Sequence, residues 1–291
     1  MTSALVRAMR TDRQFCSWDD AVQWLRSQPE GRDLVLAAYY DDPLIDAANR
    51  YWESDEWGEV RKLLGSSNGR ALDVGAGRGI ASYALAREGF AVTALEPNDS
   101  NVVGAGAIRA LAEESGLPIT VIQEFSENLP FDDRQFDIVF ARAVLHHTKD
   151  LIAASREFSR VLKPGGRLIA IREHVISRKK DLPVFLSQHP LHHLYGGENA
   201  FLLSEYMSAL STAGFEIDSV LSPLKTAINY APHSEETLKD AVAEQVGRTT
   251  SITHAIRAIL SAPGVWPAVR EVLSLVDRRP GRLYSFVCTR P

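Results

Sequence analysis

The sequence predicts an α/β protein built on a doubly wound, mostly parallel sheet of seven strands. Two observations support this prediction. From residue 70 onwards, short apolar runs alternate with helical patterns and are joined by short loops, which is typical of parallel βαβ units. A glycine loop at 75–79 directly follows the first apolar run, where such a sheet turns from a strand into a helix.

The composition is that of an ordinary globular chain and excludes several classes of protein. The 291 residues are 45% hydrophobic and 24% charged, with a formal net charge of −5. Wholesale disorder is therefore excluded, and a general nucleic-acid binder is disfavoured. The sequence has no uncharged apolar run of membrane-spanning length, and residues 1–14 lack the apolar core of a secretory signal. We expect a cytoplasmic protein with no membrane partner.

The two cysteines, Cys16 and Cys288, lie at opposite ends of the chain and in no metal-binding spacing. They suggest a reducing compartment, although a single long-range disulfide is an alternative.

The elements follow in chain order. Apolar stripes predict helices within 1–65, and Gly65 to Gly69 has the composition of a linker. Beyond it, the helical patterns cover 82–88, 101–115, 155–162 and 204–213, and Pro164-Gly165-Gly166 is expected to end the third of these. The seven expected strands lie at 71–74, 91–95, 119–122, 136–141, 167–172, 215–221 and 282–289.

The last two strands are separated by a long, mostly helical stretch at 223–280. We interpret it as an insertion before the last strand. The predicted organisation is thus an N-terminal helical cap at 1–65, a core at 66–222 and 281–291, and this insertion. Such peripheral helices commonly cover an active site.

The loop Asp73-Val74-Gly75-Ala76-Gly77-Arg78-Gly79 predicts a ligand site. Its glycines allow positive φ and close approach of a ligand to the backbone. The N–H groups at the start of the following helix have no helical partner and attract polar ligands. Glu96 ends the second strand, from where a carboxylate can accept both hydroxyl groups of a ribose. Together they predict an adenosine-containing cofactor.

The glycine spacing is G-x-G-x-G, and the third glycine comes one residue earlier than in a nicotinamide fingerprint. Later landmarks are Ser126 to Phe131, Phe136-Asp137-Ile138-Val139, Leu145-His146-His147, and Glu157 through Gly166. With Asp73 before the glycines, this set resembles the type 11 branch of the class I S-adenosylmethionine-dependent methyltransferases. The resemblance covers about 70–172 and returns at Ala213-Gly214-Phe215 and in the last strand.

The resemblance implies a Rossmann-like methyltransferase fold and S-adenosylmethionine as cofactor. It places the backbone of Gly75, Ala76 and Gly77 against the methionine part and Asp73 near the ammonium group. It also implies that Glu96 binds the ribose, that Pro97 and Asn98 lie beside the adenine, that Ser126 contacts the adenine edge, and that Arg142 lies near the methionine and the acceptor.

One position departs from this family. An aspartate that accepts from the adenine amino group usually precedes the position of Ser126, and here the residue is Phe125. Either Glu124 replaces the aspartate or Phe125 stacks on the adenine.

Candidate catalytic residues follow the fourth and fifth strands. Transfer to a hydroxyl usually needs a general base, and histidine suits this role near neutral pH. His146 and His147 come after the fourth strand, on the edge where open α/β sheets bind ligands. Arg172-Glu173-His174 ends the fifth strand, with His174 as a candidate base, Glu173 as its orienting group and Arg172 as an anchor for an anion.

A histidine-rich loop at 189–199 is the most distinctive stretch outside the cofactor motifs. We interpret it as lining the acceptor, with Arg142 and Arg172 as further contacts. The spacing His-x-x-His-His is not a defined ligand pattern, so no metal is predicted, although a metal-assisted reaction is an alternative. The loop residues assigned to the acceptor are His189, His192, His193 and Tyr195.

The sequence thus predicts methyl transfer to a small metabolite, with oxygen slightly ahead of nitrogen. Two arginines near the site suggest an anionic or sugar-like acceptor, although pairing with carboxylates would explain them equally well. The alternatives are an NAD-dependent oxidoreductase and a non-catalytic protein that binds S-adenosylmethionine. The oligomeric state does not follow from the sequence.

Overall fold

The computed structural model describes residues 17–65, 68–247 and 250–291. Cys16, the first sixteen residues of the predicted cap, and the predicted start of the core at Ser66 lie outside these ranges.

A single mixed sheet forms the centre of the described chain, in the order β3-β2-β1-β4-β5-β8-β7. Strands β1 to β5 pair in parallel, and β8 runs antiparallel to both β5 and β7. This confirms the predicted doubly wound, mostly parallel sheet, with one short extra strand, β6, paired to the end of β5. The strands are β1 Gly69–Val74, β2 Phe90–Leu95, β3 Ile119–Ile122, β4 Phe136–Arg142, β5 Leu162–Ile176, β6 Phe201–Leu202, β7 Glu216–Leu221 and β8 Arg282–Thr289.

Helices cover the sheet and its carboxyl edge. They are α1 Trp18–Ser27, α2 Arg32–Ala37, α3 Leu44–Trp52, α4 Asp55–Leu64, α5 Ile80–Arg87, α6 Ala105–Ser115, α7 Leu151–Val161, α8 Leu182–Gln188, α9 Pro190–Leu194, α10 Leu203–Thr212, α11 Ala227–Tyr230, α12 Glu235–Val246, α13 Thr250–Leu260 and α14 Val265–Val276.

The sequence accounts for these elements locally. Asp150 caps α7, because its carboxylate accepts from the N–H groups of Ile152 and Ala153. The apolar face of α7 then packs on one side of the sheet, with Phe158 fully buried. On the other side, Trp57 of α4 packs against Phe140 of β4. The parallel strands are therefore buried on both faces, which requires their nearly continuous apolar sequences.

Strand β5 is longer than predicted at both ends. The predicted strand begins at Arg167, but Leu162 already pairs with Phe136. Gly165 turns within the extended segment, and its N–H donates to the carbonyl of Arg290. Further along, the register with β8 shifts between Ala170 and Glu173, where Arg172 adopts a φ of +61°. This bulge re-aims the side chains that follow it, as bulges beside functional sites often do.

Helices α11 to α14 lie between β7 and β8, where the insertion was expected. Ile228 of α11 is buried in the same apolar cluster as Trp57 of α4, so the start of this segment packs against the core. The division into three parts stays a prediction. Within the described ranges, no single helix is long and apolar enough to span a membrane; α13 and α14 meet that test only as a pair, and they are bent by 101° at their junction.

Candidate functional site

A cavity of about 750 Å³ opens at the carboxyl ends of β1, β2, β4 and β5. Open α/β sheets bind ligands at this edge. The N-terminal segment contributes Trp18, Tyr39 and Tyr40 to its wall. The wall also contains every residue that was predicted to contact the cofactor: Asp73, Gly75, Ala76, Gly77, Glu96, Pro97, Asn98, Phe125, Ser126 and Arg142.

The glycine loop is held in place by the carboxylate that was predicted to bind a ribose. Glu96 accepts from the N–H of Gly77 at 2.8 Å and from that of Asn98 at 3.1 Å. Gly75 and Gly77 have φ values of +59° and +55°, which favour glycine. A Cβ on Gly75 would lie 2.8 Å from a methyl group of Val144, whereas one on Gly77 would meet nothing within 4 Å. The backbone at Gly77 therefore faces open space in the cavity.

Asp73 ends β1 and is 1% exposed. Its carboxylate accepts from the Ser82 hydroxyl at 2.5 Å. Burial raises the pKa of Asp73 to about 7, because desolvation outweighs the opposing hydrogen bond from Ser82. A cationic group placed beside Asp73 would favour the ionised carboxylate.

Arg78, within the loop, fastens the N-terminal segment over the cavity. Its buried guanidinium donates to the carbonyls of Tyr39 at 2.9 Å and Asp41 at 2.7 Å, and it pairs with the Asp42 carboxylate. A second tie joins the Ser100 hydroxyl to Asp19 of α1 at 2.6 Å. The wall residues Tyr39 and Tyr40 were not predicted. They are distant in sequence from the glycine loop, and no local sequence pattern indicates such contacts.

Phe125 and Glu124, the two candidates for the adenine contact, both lie on the cavity wall. The Phe125 ring is 59% exposed at the cavity wall, and Lys149 Nζ lies 5.9 Å from its centre. The Glu124 carboxylate accepts from the N–H of Phe125 at 2.9 Å and also lines the cavity.

Arg142 and Arg172 share a carboxylate on one wall. Glu56 of α4, 1% exposed, accepts from Arg142 Nε at 2.7 Å and Nη2 at 3.1 Å, and it lies 3.4 Å from Arg172 Nη1. Burial alone would raise the pKa of Glu56, but the two guanidinium groups outweigh it and lower that pKa. Arg172 also donates to the carbonyl of Ile228 at 2.8 Å. Pairing with a carboxylate, the alternative expected for both arginines, is therefore present, with Glu56 as the partner, and the role of Arg172 as an anchor for an anion stays a prediction.

His146 is bound by Glu173, and both side chains are almost completely buried. The carboxylate lies 2.7 Å from His146 Nδ1. It also accepts from the N–H groups of Val144, Leu145 and His146 at 3.0–3.1 Å. Burial alone would lower the pKa of His146, but the carboxylates of Glu173 and Glu198 together outweigh it and raise that pKa to about 9. Glu173 thus orients His146, a correction to the expectation that it orients His174.

Three further side chains surround His146. His147 and His174 donate from Nδ1 to the carbonyls of Gly197 at 3.0 Å and Gly281 at 2.9 Å. Burial lowers the pKa of each of these two imidazoles, and the nearby His146 adds to the effect. Glu198 Oε2 lies 3.7 Å from His146 Nε2 and 3.9 Å from His147 Nε2. His146, His147, His174 and Glu198 all line the cavity.

The predicted acceptor loop divides into two parts. His189 and Tyr195 line the cavity, and the Tyr195 ring contacts Trp18 edge-on with centres 5.1 Å apart. His192 and His193 are not among the cavity-lining residues. His193 Nε2 donates to the carbonyl of Ser187 at 2.7 Å, which is a structural contact within α8 and α9. Within the short helix α9, Leu191 lines the cavity and the two histidines do not.

Comparison with known proteins shows that the chain is similar to methyltransferases. Residues 72–170 match the family described as "Methyltransferase domain". The chain is 32% identical over 168 residues, 56% of its own length, to the sarcosine/dimethylglycine N-methyltransferase of Halorhodospira halochloris. It is 40% identical over 139 residues, 47% of its length, to a ubiquinone biosynthesis O-methyltransferase of Paramagnetospirillum magneticum. The chain spans 58% and 53% of these two relatives, less than two thirds of either.

A solved structure supports the fold. The geranyl diphosphate C-methyltransferase of Streptomyces coelicolor A3(2), in complex with Mg²⁺, geranyl diphosphate and S-adenosyl-L-homocysteine, superposes with a TM-score of 0.58 at 16% identity. The match covers 94% of this chain and 97% of that one. At this identity the likeness establishes a common fold and leaves the substrate open.

Proposed function

Residues 72–170 form a class I S-adenosylmethionine-dependent methyltransferase domain, and on that premise we propose that the whole chain transfers a methyl group to an oxygen atom of a small molecule. The observation that carries the proposal is the single cavity in which the glycine loop and Glu96 face the histidines that follow β4. A donor and an acceptor bound there would share one cavity. The imidazole side chains in its wall could remove the proton of a hydroxyl group, so we favour oxygen over nitrogen as the methylated atom.

The cofactor supplies the activated methyl group, so the protein must align the acceptor and remove its proton. We assign the base to His147. The Gly197 carbonyl accepts the hydrogen on Nδ1, which leaves Nε2 with a free lone pair, and His147 lines the cavity. Nε2 of His147 would take the proton of the acceptor hydroxyl as the hydroxyl oxygen attacks. The cofactor, when bound, would supply the methyl group to that oxygen and leave as the neutral thioether.

The charge of the wall bears on the acceptor class. Arg142 and Arg172 share the single carboxylate of Glu56, so the cluster carries one formal positive charge. A carboxylate, of the methionine part of the cofactor or of the acceptor, would complement it. The positive charge supports an anionic acceptor if one guanidinium stays accessible to that acceptor after the cofactor has bound.

The first test is calorimetric titration of the full chain with S-adenosylhomocysteine, with NADH in parallel. We expect S-adenosylhomocysteine alone to bind. Glu96→Ala should weaken it by at least about thirtyfold, because a charged acceptor for two hydroxyl groups is lost along with the bonds that shape the loop. Asp99→Ala is the matched control, since Asp99 is exposed and lies outside the cavity wall.

Turnover is then followed as S-adenosylhomocysteine released from S-adenosylmethionine with a panel of small hydroxyl and amino compounds. Binding of NADH instead would overturn the proposal in favour of an oxidoreductase. Cofactor binding with no turnover on any compound would favour a non-catalytic binding protein. Turnover that survives His147→Gln unchanged would remove His147 as the base.

A further inference from the structure

The histidine cluster in the cavity wall contains side chains of the kind that bind metal ions. One ring nitrogen of His146, one of His174 and one carboxylate oxygen of Glu198 lie within 4.8 Å of one another. His189 adds a fourth candidate, with Nδ1 3.7 Å from Glu198 Oε1. Neighbouring ligands of a tetrahedral zinc ion are about 3.4 Å apart, so side-chain shifts of about 1 Å would close the site.

A hydrogen bond to one nitrogen of each imidazole leaves the other nitrogen available to bind a metal ion. The carbonyl of Gly281 can only accept, so His174 carries its hydrogen on Nδ1 and presents Nε2 as a lone pair. Glu173 accepts the hydrogen on His146 Nδ1, so Nε2 is the nitrogen that a metal ion would bind, in place of a proton. Carboxylates and carbonyls placed behind histidines in this manner are typical of metal centres.

At the centre of the cluster, buried polar atoms lack a partner that a cation would supply. Glu198 is 8% exposed, and its Oε2 has no hydrogen-bond partner in the part of the chain that the structure describes. The same holds for the buried Nδ1 of His189. At 3.7–3.9 Å, the imidazole nitrogens around Glu198 are too far away for hydrogen bonds. Unpaired buried polar atoms are costly and rare, so this cluster needs an explanation.

We propose that His146, His174 and Glu198, with His189 in reach, bind one divalent transition-metal ion. Imidazole-rich sets with one carboxylate suit zinc, iron(II), cobalt(II) or nickel(II), and not Mg²⁺, which takes oxygen ligands. The proposal replaces the sequence expectation that no metal binds: His146 follows β4, His174 lies in β5 and Glu198 precedes β6, whereas His192 and His193 take no part. If the proposed methyl transfer holds, an open coordination position would take the acceptor oxygen next to His147; the metal site itself does not depend on that reaction.

The test uses the full chain, stripped of metal by a chelator and dialysed. Calorimetry with Zn²⁺, and absorption spectra with Co²⁺, should show one equivalent bound, with the intense visible bands of a four- or five-coordinate cobalt ion. Glu198→Gln and His174→Gln should each weaken Zn²⁺ binding by at least tenfold. His254→Gln, a substitution of an exposed histidine on α13, is the matched control and should leave binding unchanged.

Zn²⁺ should also raise the melting temperature of the wild-type chain, which needs no variant and so covers the case that a substitution impairs folding. Three outcomes overturn the proposal: no saturable Zn²⁺ binding, no Co²⁺ bands in the wild type, or equal binding by Glu198→Gln and His254→Gln. The cluster would then be a proton-sharing group of histidines and Glu198. Parallel titration with S-adenosylhomocysteine keeps the tests distinct, because loss of cofactor binding alone defeats the proposed function and leaves the metal site standing.

Discussion

The two halves of the cavity are built by different means. The cofactor half consists mainly of backbone: the glycine loop after β1 and the carboxylate of Glu96, which accepts from the N–H of Gly77. The acceptor half consists of buried charged and imidazole side chains that come from α4, β4, β5 and the loop before β6. Glu56 and Arg142, for example, are 86 residues apart in the chain. Short-range motifs therefore specify the first half, and tertiary pairing specifies the second.

This difference predicts how each half responds to damage. Substitutions in the acceptor half should lower stability, because they leave buried charges without partners. Substitutions at the open part of the cofactor half should lower ligand affinity more than stability, because Gly77 faces open space. The predictions below test this contrast, starting from the largest effect.

Glu56→Gln should destabilise the protein by about 3 kcal/mol, since it leaves Arg142 and Arg172 buried without their shared carboxylate. The measurement is the free energy of unfolding in urea, with circular dichroism as the readout. Glu59→Gln is the control on the same helix, because Glu59 pairs with Lys62 near the surface and should contribute less than about 1 kcal/mol. Equal losses for both variants would contradict the contrast. Affinity for S-adenosylhomocysteine should change by less than about threefold in Glu59→Gln, because Glu59 lies outside the cavity wall.

Gly77→Ala tests the cofactor half. Gly77 and Gly116 both have positive φ, and an added Cβ meets nothing within 4 Å at either position. Alanine should therefore cost about 1 kcal/mol of stability at both, through backbone strain alone. Only Gly77→Ala should weaken S-adenosylhomocysteine, by at least about tenfold, because its methyl group would occupy ligand space. Calorimetry of both variants with S-adenosylhomocysteine is the test. Unchanged affinity in Gly77→Ala would mean that the cofactor does not bind at the loop.

The same contrast explains what the sequence could predict. The mostly parallel sheet, the glycine loop and Glu96 follow from local patterns and a family resemblance, and the structure places the loop and Glu96 on one cavity. The partner of Glu173 did not follow, because the bulge at Arg172 changes which neighbour its side chain meets. Glu56 was missed because a carboxylate in the first turn of a helix is an ordinary surface feature until the fold buries it.

Asp73 should make cofactor binding depend on pH. Its pKa near 7 in the folded chain, raised by burial, means that the carboxyl is mostly protonated at pH 6 and mostly ionised at pH 8. If Asp73 binds the ammonium group, S-adenosylhomocysteine affinity should rise roughly tenfold over that interval, and Asp73→Asn should abolish the rise. Stability should change in the opposite direction. The unfolded carboxyl loses its proton near pH 4 while the folded one keeps it, so unfolding becomes easier as pH rises from about 4 to 7. A flat affinity profile in the wild type would contradict the assignment.

The smallest expected effect concerns the adenine contact. The exposed Phe125 ring on the cavity wall offers an apolar face, whereas the Glu124 carboxylate already accepts from a backbone N–H. We therefore expect Phe125 to stack on the adenine. Phe125→Ala should weaken S-adenosylhomocysteine about fivefold, which corresponds to about 1 kcal/mol for an aromatic pair, and Phe125→Trp should restore it. Glu124→Gln should have almost no effect. The reverse pattern would mean that the Glu124 carboxylate binds the adenine amino group in place of a stacked ring.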